Sequence, residues 1–228
     1  MTTPRLSGVE ACVFDAYGTL FDVNSAARAE QRTLGEKWQP LAELWRTKQL
    51  QYTWLRSLAG HHADFWQVTG DALDFALCTL RMEDPALRER LMKLYMVLGA
   101  YPEVPETLKR LKAAGLRLAI LSNGSPAMLA AAAANAGIAD LLDATLSVEE
   151  VRVYKPHPFV YGLACERLNL MVSRICFVSS NGWDAYCAKA SGFRVLWCNR
   201  TGQAPERIPE TPDAEITTLA ELPHFLLS

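Results

Sequence analysis

The chain is 228 residues long, half hydrophobic and 21% charged, which suffices for one α/β unit with a smaller insert and a core that holds without a disulfide or metal staple. Its formal net charge of −2 and isoelectric point near 6.1 supply no basic face to neutralise phosphates, so nucleic acid is not an expected partner. Residues 1–8 lack the apolar run of a signal peptide and no stretch of about 18 apolar residues could span a bilayer, which points to a cytoplasmic protein with no membrane association.

The first predicted element is a strand, because the run Val9-Glu10-Ala11-Cys12-Val13-Phe14 ends in Asp15 and passes at once into the turn Ala16-Tyr17-Gly18-Thr19. After Asp22 the pattern changes to helices, with apolar residues at spacings of three and four over 23–34, 38–59, 65–80 and 85–98. Gly60-His61-His62 separates the second from the third, and Asp84-Pro85 is a helix start with proline in the first turn. The adjacent histidines lack a third ligand at a recognisable spacing and make a weak metal site. From Val104 onward, helices over 105–114, 126–136, 158–168 and 183–191 alternate with strands over 117–122, 144–147, 175–179 and 195–198. Strands separated by single helices form βαβ units and a parallel sheet. The expected fold is α/β: a doubly wound parallel-sheet core, residues 1–22 and 99–228, with an inserted helical-bundle cap, residues 23–98. Six cysteines (Cys12, Cys78, Cys165, Cys176, Cys187 and Cys198) form no C-x-x-C pair and read as small core residues in a reducing compartment.

Four strand ends carry chemistry. Ligands of an open parallel sheet sit beyond the carboxyl ends of its strands, so Asp15 faces a crevice; Gly18 lets the backbone fold over the acid, and Thr19 can donate to it. At the second, Leu121-Ser122-Asn123-Gly124-Ser125-Pro126 places small polar residues at a helix start, where an anion can be held. The third, Val153-Tyr154-Lys155-Pro156-His157-Pro158, brings a cation, with Tyr161 one turn further on. A carboxylate in a dry crevice needs one to stay ionised, and a lysine about 4 Å away offers on the order of 4 kcal/mol. The fourth, Phe177-Val178-Ser179-Ser180-Asn181-Gly182-Trp183-Asp184, has a single acid, too few carboxylates for a magnesium site. Taken singly, each of these is equally a strand-to-helix turn, a solvated lysine or a helix cap.

As a set, in this order from Asp15 to about Thr218, they resemble the motifs of the haloacid dehalogenase (HAD) superfamily. Its first motif has a nucleophilic Asp and a second Asp two residues on, where this chain has Tyr17. Phosphatases of the superfamily use that second acid for proton transfer, and a phenol with a reference pKa of about 10 replaces it poorly. The departure points to the L-2-haloacid dehalogenase (type II) branch, whose fourth motif is similar to Ser-Ser-Asn-Gly-Trp-Asp. In the insert, Trp45-Arg46-Thr47-Lys48-Gln49-Leu50-Gln51-Tyr52-Thr53-Trp54-Leu55 is similar to the segment whose Arg receives the leaving halide, with Thr47 where many relatives carry Gln. A guanidinium suits that task because it is always charged and sheds water readily.

The resemblance implies a hydrolase that converts short (S)-2-haloalkanoic acids, such as chloroacetate and L-2-chloropropionate, to (R)-2-hydroxy acids plus halide, with inversion, through an ester on Asp15 and without cofactor or metal. The catalytic residues it implies are Asp15, Thr19, Arg46, Ser122, Lys155, Tyr161, Ser179, Asn181 and Asp184. Substrate would meet Ala16, Tyr17, Arg46, Leu50, Phe65, Ser122, Asn123 and Trp183. A small-molecule phosphatase of the same fold, an L-azetidine-2-carboxylate hydrolase and a non-catalytic binding protein stand as alternatives. A homodimer paired through the cap is expected from the resemblance and from the apolar and aromatic residues over 38–54.

Overall fold

The structure is a computed structural model and describes residues 5–227, so the signal-peptide reading of residues 1–8 lies partly outside the described residues. One sheet of six parallel strands runs in the order β3-β2-β1-β4-β5-β6. The strands are β1 (Ala11–Phe14), β2 (Arg117–Ser122), β3 (Ala144–Ser147), β4 (Ile175–Ser179), β5 (Arg194–Cys198) and β6 (Ala214–Ile216). β1 lies between β2 and β4, with Val13 opposite both Ala119 and Phe177. All four of its residues are buried, which is why it reads as an unbroken apolar run and not as an alternation. The order reverses at β1 and β4, so the crevice of the sheet opens where Asp15 and Ser179 end their strands.

After β1 the chain leaves the sheet and returns beside its own exit: the Asp22 amide donates to the Gly99 carbonyl at 2.9 Å, and the Tyr101 amide donates to the Leu20 carbonyl at 3.0 Å. Between these points lie α1 (Ser25–Ala29), α2 (Gln31–Leu34), α3 (Trp38–Ala59), α4 (Phe65–Thr79) and α5 (Pro85–Met96). The single helix predicted over 23–34 is therefore two short ones. Their break falls at Glu30, whose carboxylate pairs with Arg90 of α5 at 3.1 Å, so a tertiary contact overrides local propensity. α3 stops at Gly60, where φ of +69° reverses the chain. Side-chain caps start the next two helices, with Asp64 accepting from the Gln67 amide at 3.0 Å and Asp84 accepting from the Ala86 amide at 2.9 Å.

The remaining helices are α6 (Val104–Ala113), α7 (Pro126–Asn135), α8 (Pro158–Leu168), α9 (Gly182–Ala190) and α10 (Leu222–Leu226). β6 and α10 were not predicted; they have three and five residues and follow an irregular exposed segment, too short for a period to register. All six cysteines are free. Cys12, Cys176 and Cys198 are core residues as expected, whereas Cys78 is exposed on α4 and corrects the uniform core reading. The aromatic stripe over 38–54 also differs from expectation. Trp45 is buried and donates through its indole nitrogen to the Thr69 carbonyl at 2.9 Å, because α4 packs along that side of α3. Among the described residues no helix is long and apolar enough to cross a membrane.

Candidate active site

Asp15 follows the last residue of β1 and is nearly buried. Gly18 takes a φ of +92° to turn the chain over it; a Cβ there would have room, so the backbone angle is what requires glycine. The Asp15 carboxylate then meets three donors. Thr19 Oγ1 at 3.0 Å and Asn181 Nδ2 at 2.8 Å donate to Oδ2, and Lys155 Nζ at 3.1 Å donates to Oδ1. Thr19 is itself fixed by the Ser180 amide at 2.8 Å, and Asn181 by Ser179 Oγ, which accepts from its amide at 3.2 Å.

Lys155 bridges Asp15 and Asp184, the latter at 2.9 Å, and both Lys155 and Asp184 are fully buried. Burial alone would lower the Lys155 pKa, but the two carboxylates outweigh it and raise it above its ordinary value, so the ammonium stays charged. Burial raises Asp184, opposed by the Lys155 charge and reinforced by the like charge of Asp15. Tyr161 Oη donates to Asp184 Oδ1 at 2.7 Å. The result is a basic carboxylate poised beside a more exposed one.

Arg46 projects from α3 across this crevice. Its Nη2 donates to the Tyr17 carbonyl at 3.2 Å and to Asn181 Oδ1 at 3.3 Å, while Nη1 donates to Gln49 Oε1 at 2.8 Å. One side chain, Asn181, thus touches both Asp15 and Arg46. The Tyr17 ring packs against Phe65 and Tyr95, with centroids 5.5 and 5.7 Å away. Its hydroxyl is buried without a partner among the described residues. Burial, with Tyr95 next, pushes its pKa well above 10.0, so this phenol cannot serve as the acid–base group that the missing carboxylate would have been. Gly124 allows that packing, since a Cβ would lie 2.7 Å from the Tyr17 ring.

The other predicted site residues fall as follows. Ser122 Oγ accepts from the Gly124 amide at 3.1 Å, and Asn123 Oδ1 accepts from the Lys155 amide at 3.0 Å, which ties the second strand end to the third. Ala16 anchors the turn through its carbonyl, taking the Leu20 amide at 2.9 Å. Phe65 is buried against Tyr17, and Leu50 is half-buried on α3. Trp183 stands further out, edge-to-face with Trp54 at 5.4 Å, in an apolar groove of about 470 Å³ that also meets Pro156 and Ile208.

Several residues escaped the sequence reading. Gln49, Thr69 and Tyr95 surround Arg46 and its supports. Arg200 donates to the Thr19 carbonyl at 2.9 Å. His62 pairs with Glu149 at 2.8 Å. No local signal separates a buried polar helix residue from a solvated one, and only the partner 20 or more positions away distinguishes them. Among the described residues no group of three or more His, Cys, Asp or Glu could hold a metal ion.

A carboxylate at the switch point of a parallel sheet, backed by a buried lysine and faced by a helical insert, defines a hydrolase of the haloacid dehalogenase-like class, and residues 9–192 match the family model of that description. The chain is 46% identical to (S)-2-haloacid dehalogenase 1 of Pseudomonas sp. (strain CBS-3), covering 96% of this chain and 97% of the relative. A crystal structure of a dehalogenase with an intermediate complex superimposes with a TM-score of 0.95 at 44% identity, over 97% of this chain and 98% of the other. The L-2-haloacid dehalogenase of Xanthobacter autotrophicus with chloropropionic acid covalently bound gives 0.88 at 40% identity, over 94% and 97%. The chain belongs to the (S)-2-haloacid dehalogenase family.

Proposed function

We propose that the chain hydrolyses short (S)-2-haloalkanoic acids to (R)-2-hydroxy acids and halide, with Asp15 as nucleophile and the helices of residues 23–98 as a cap that completes the site. The observation that carries this reading is the Asn181 amide, whose nitrogen donates to Asp15 at 2.8 Å while its oxygen accepts from Arg46 at 3.3 Å. It fixes the distance between the attacking group and the acceptor of the leaving group, as an in-line displacement requires.

Asp15 Oδ1, with Lys155 as its one partner among the described residues, attacks C2; the carbon–halogen bond breaks and the halide departs toward Arg46. Inversion at C2 follows. Substrate carboxylate rests on Ser122, Asn123 and the amides of Ala16 and Tyr17, with Phe65, Leu50 and Trp183 as the apolar wall for the α-substituent. In the second step Asp184 takes a proton from water, which adds to Cγ of Asp15. The charge that develops on Oδ2 is met by the Thr19 and Asn181 donors already on that atom. The Cγ–Oδ1 bond then breaks, the hydroxy acid leaves with that oxygen and the proton from Asp184, and the second water proton passes from Asp15 to solvent, which restores the carboxylate. No cofactor enters either step.

Halide release from chloroacetate, fluoroacetate and both 2-chloropropionate enantiomers tests this. We expect turnover of the L enantiomer, undiminished after exhaustive treatment with EDTA. Loss on chelation with recovery on added Mg²⁺ would favour the phosphatase reading. Arg46→Ala should reduce turnover by about 100- to 1000-fold with the fold intact, the scale of a lost transition-state donor, and Arg46→Lys should recover little because the planar fork is gone. Near-normal turnover in Arg46→Ala would return Arg46 to a structural role.

The same reading extends to assembly and location. Leu55 and Phe75 are exposed on the outer side of α3 and α4, with Tyr52 packed edge-on against Phe75, and this patch supports a homodimer joined through the cap. Sedimentation at micromolar concentration should give twice the chain mass; a monomer would refute it. Six free cysteines suit the reducing cytoplasm.

A further inference from the structure

We propose that Gln49 is a positioning residue for the halide-accepting guanidinium, and that it acts as the middle of a relay from Arg46 through Thr69 to the Phe65 carbonyl. The inference rests on the assignment of Arg46 as halide acceptor. Gln49 is fully buried on α3, one turn after Arg46. Its Oε1 accepts from Arg46 Nη1 at 2.8 Å and from Tyr95 Oη at 3.1 Å, and its Nε2 donates to Thr69 Oγ1 at 2.8 Å. Thr69 then donates to the Phe65 carbonyl at 2.6 Å.

Only one orientation of the amide satisfies this set. A guanidinium has donors and no acceptor, so the Gln49 oxygen must face Arg46 and the nitrogen must face Thr69. The Thr69 hydroxyl has one proton, which the Phe65 carbonyl takes, leaving its lone pairs for Gln49. Each polar side-chain atom of Gln49 and Thr69 thereby has a partner, and turning the amide over would put its NH₂ against the Arg46 donors in a buried place.

The relay matters because the other contacts of Arg46 are loose. Nη2 holds Tyr17 and Asn181 at 3.2 and 3.3 Å, both longer than the Gln49 bond. The space on the Gln49 side, bounded by Val23, Ala42, Trp45 and Tyr95, is about 10 Å³, at the lower limit for a single water. Chloride and bromide, each larger than a water, do not fit that space, and neither does a guanidinium. Gln49 therefore leaves the Nη2 edge, the one that shares Asn181 with Asp15, as the edge that meets the departing anion, which displaces one of the two long contacts of Nη2. The relay also runs to the backbone of Phe65, so the apolar wall and the halide acceptor are set by one chain of hydrogen bonds.

The test is the rate of halide release in a single turnover, enzyme in excess, with L-2-chloropropionate and L-2-bromopropionate, together with inhibition by added chloride and thermal stability. A group that only supports the fold would shift stability and leave the bromide-to-chloride rate ratio alone. A group that aims the halide acceptor should matter more for the poorer leaving group. We expect Gln49→Met to slow chloride release by about 10- to 100-fold, the scale of losing a group that orients a reacting side chain. The bromide-to-chloride ratio should rise, chloride inhibition weaken and KM change little. Should Gln49→Met fail to fold, Thr69→Val carries the test through a milder break in the same relay, with a smaller loss and the same rise in ratio. Wild-type ratios in the folded variants would overturn the proposal. Arg46→Ala, measured alongside, separates the two assignments. If it raises the ratio while the Gln49 and Thr69 variants do not, the relay alone fails; if it leaves the ratio unchanged, the halide assignment fails and the relay with it.

Discussion

A single turnover in ¹⁸O water, with enzyme in excess over L-2-chloropropionate, should place the label in the peptide that contains Asp15 and leave the first D-lactate largely unlabelled at C2. The expectation follows from which bonds break. When Asp15 attacks C2, the oxygen that enters the product is already in the protein. Solvent oxygen then reaches Cγ when water cleaves the ester, and only later turnovers pass it on to product. Direct attack by water, with Asp15 or Asp184 as general base, predicts labelled product at once and an unlabelled peptide. Stereochemistry does not separate the two routes, since each inverts the carbon once. Asp15→Asn should be inactive, because a neutral amide is a poor nucleophile and no longer pairs with Lys155. Unlabelled Asp15 beside labelled first-turnover product would show that the nucleophile is water.

Lys155→Met should lose both activity and stability, with the aliphatic stem retained and the charge removed. Lys155 is fully buried between Asp15 and Asp184, at 3.1 and 2.9 Å. Without it two carboxylates face each other with no cation between them. Removing one partner of a buried charge set costs about 3–5 kcal/mol, readable as a lower urea midpoint. One carboxylate of the pair should hold a proton at neutral pH as the cheaper state. Steady-state turnover should then fall by at least about 100-fold, since a protonated Asp15 does not attack C2 and a protonated Asp184 takes no proton from the water that cleaves the ester. A variant with wild-type stability and turnover would remove Lys155 from the site.

The same triad sets the pH dependence. Asp184 must be ionised and Lys155 protonated. The acid limb of kcat should lie above 3.8, the ordinary value from which Asp184 is raised, and the alkaline limb above 10.5, the ordinary value from which Lys155 is raised. For stability the two groups act in the same direction, because both folded values are raised. The contribution of Lys155 is present below its unfolded pKa and is lost as pH climbs through the raised folded value. Asp184 ionises later in the folded state than in the unfolded one, so its ionisation costs stability as pH rises through its own folded value. An alkaline limb near neutrality would contradict the charge state assigned to Lys155.

What the sequence determined by itself is what neighbouring residues decide together. An apolar run that stops at an acid, as at Phe14 and Asp15, announces a buried strand end because burial tolerates only one kind of residue on both faces of a central strand. Asp84 before Pro85, and Gly60 after Ala59, mark helix ends through a capping side chain and a positive φ that need no distant partner. The absence of a second acid at Tyr17 could be read in the same local way.

Only the tertiary structure decided which of these ends meet. That Asn123 would accept from the Lys155 amide, 32 positions away, depends on the order of strands in the sheet. That Arg46 would reach Asn181, 135 positions on, depends on how the inserted helices lie over it. The interruption at Glu30 and the inward turn of Trp45 came from the pull of Arg90 and the packing of α4. Gln49 is the sharpest case. In the sequence it is one polar residue in an amphipathic helix, the kind that ordinarily faces water. Its burial, and with it the direction in which Arg46 points, follows from Thr69 and Tyr95 arriving from two other helices, since a buried amide is stable only where every one of its donors and acceptors is met.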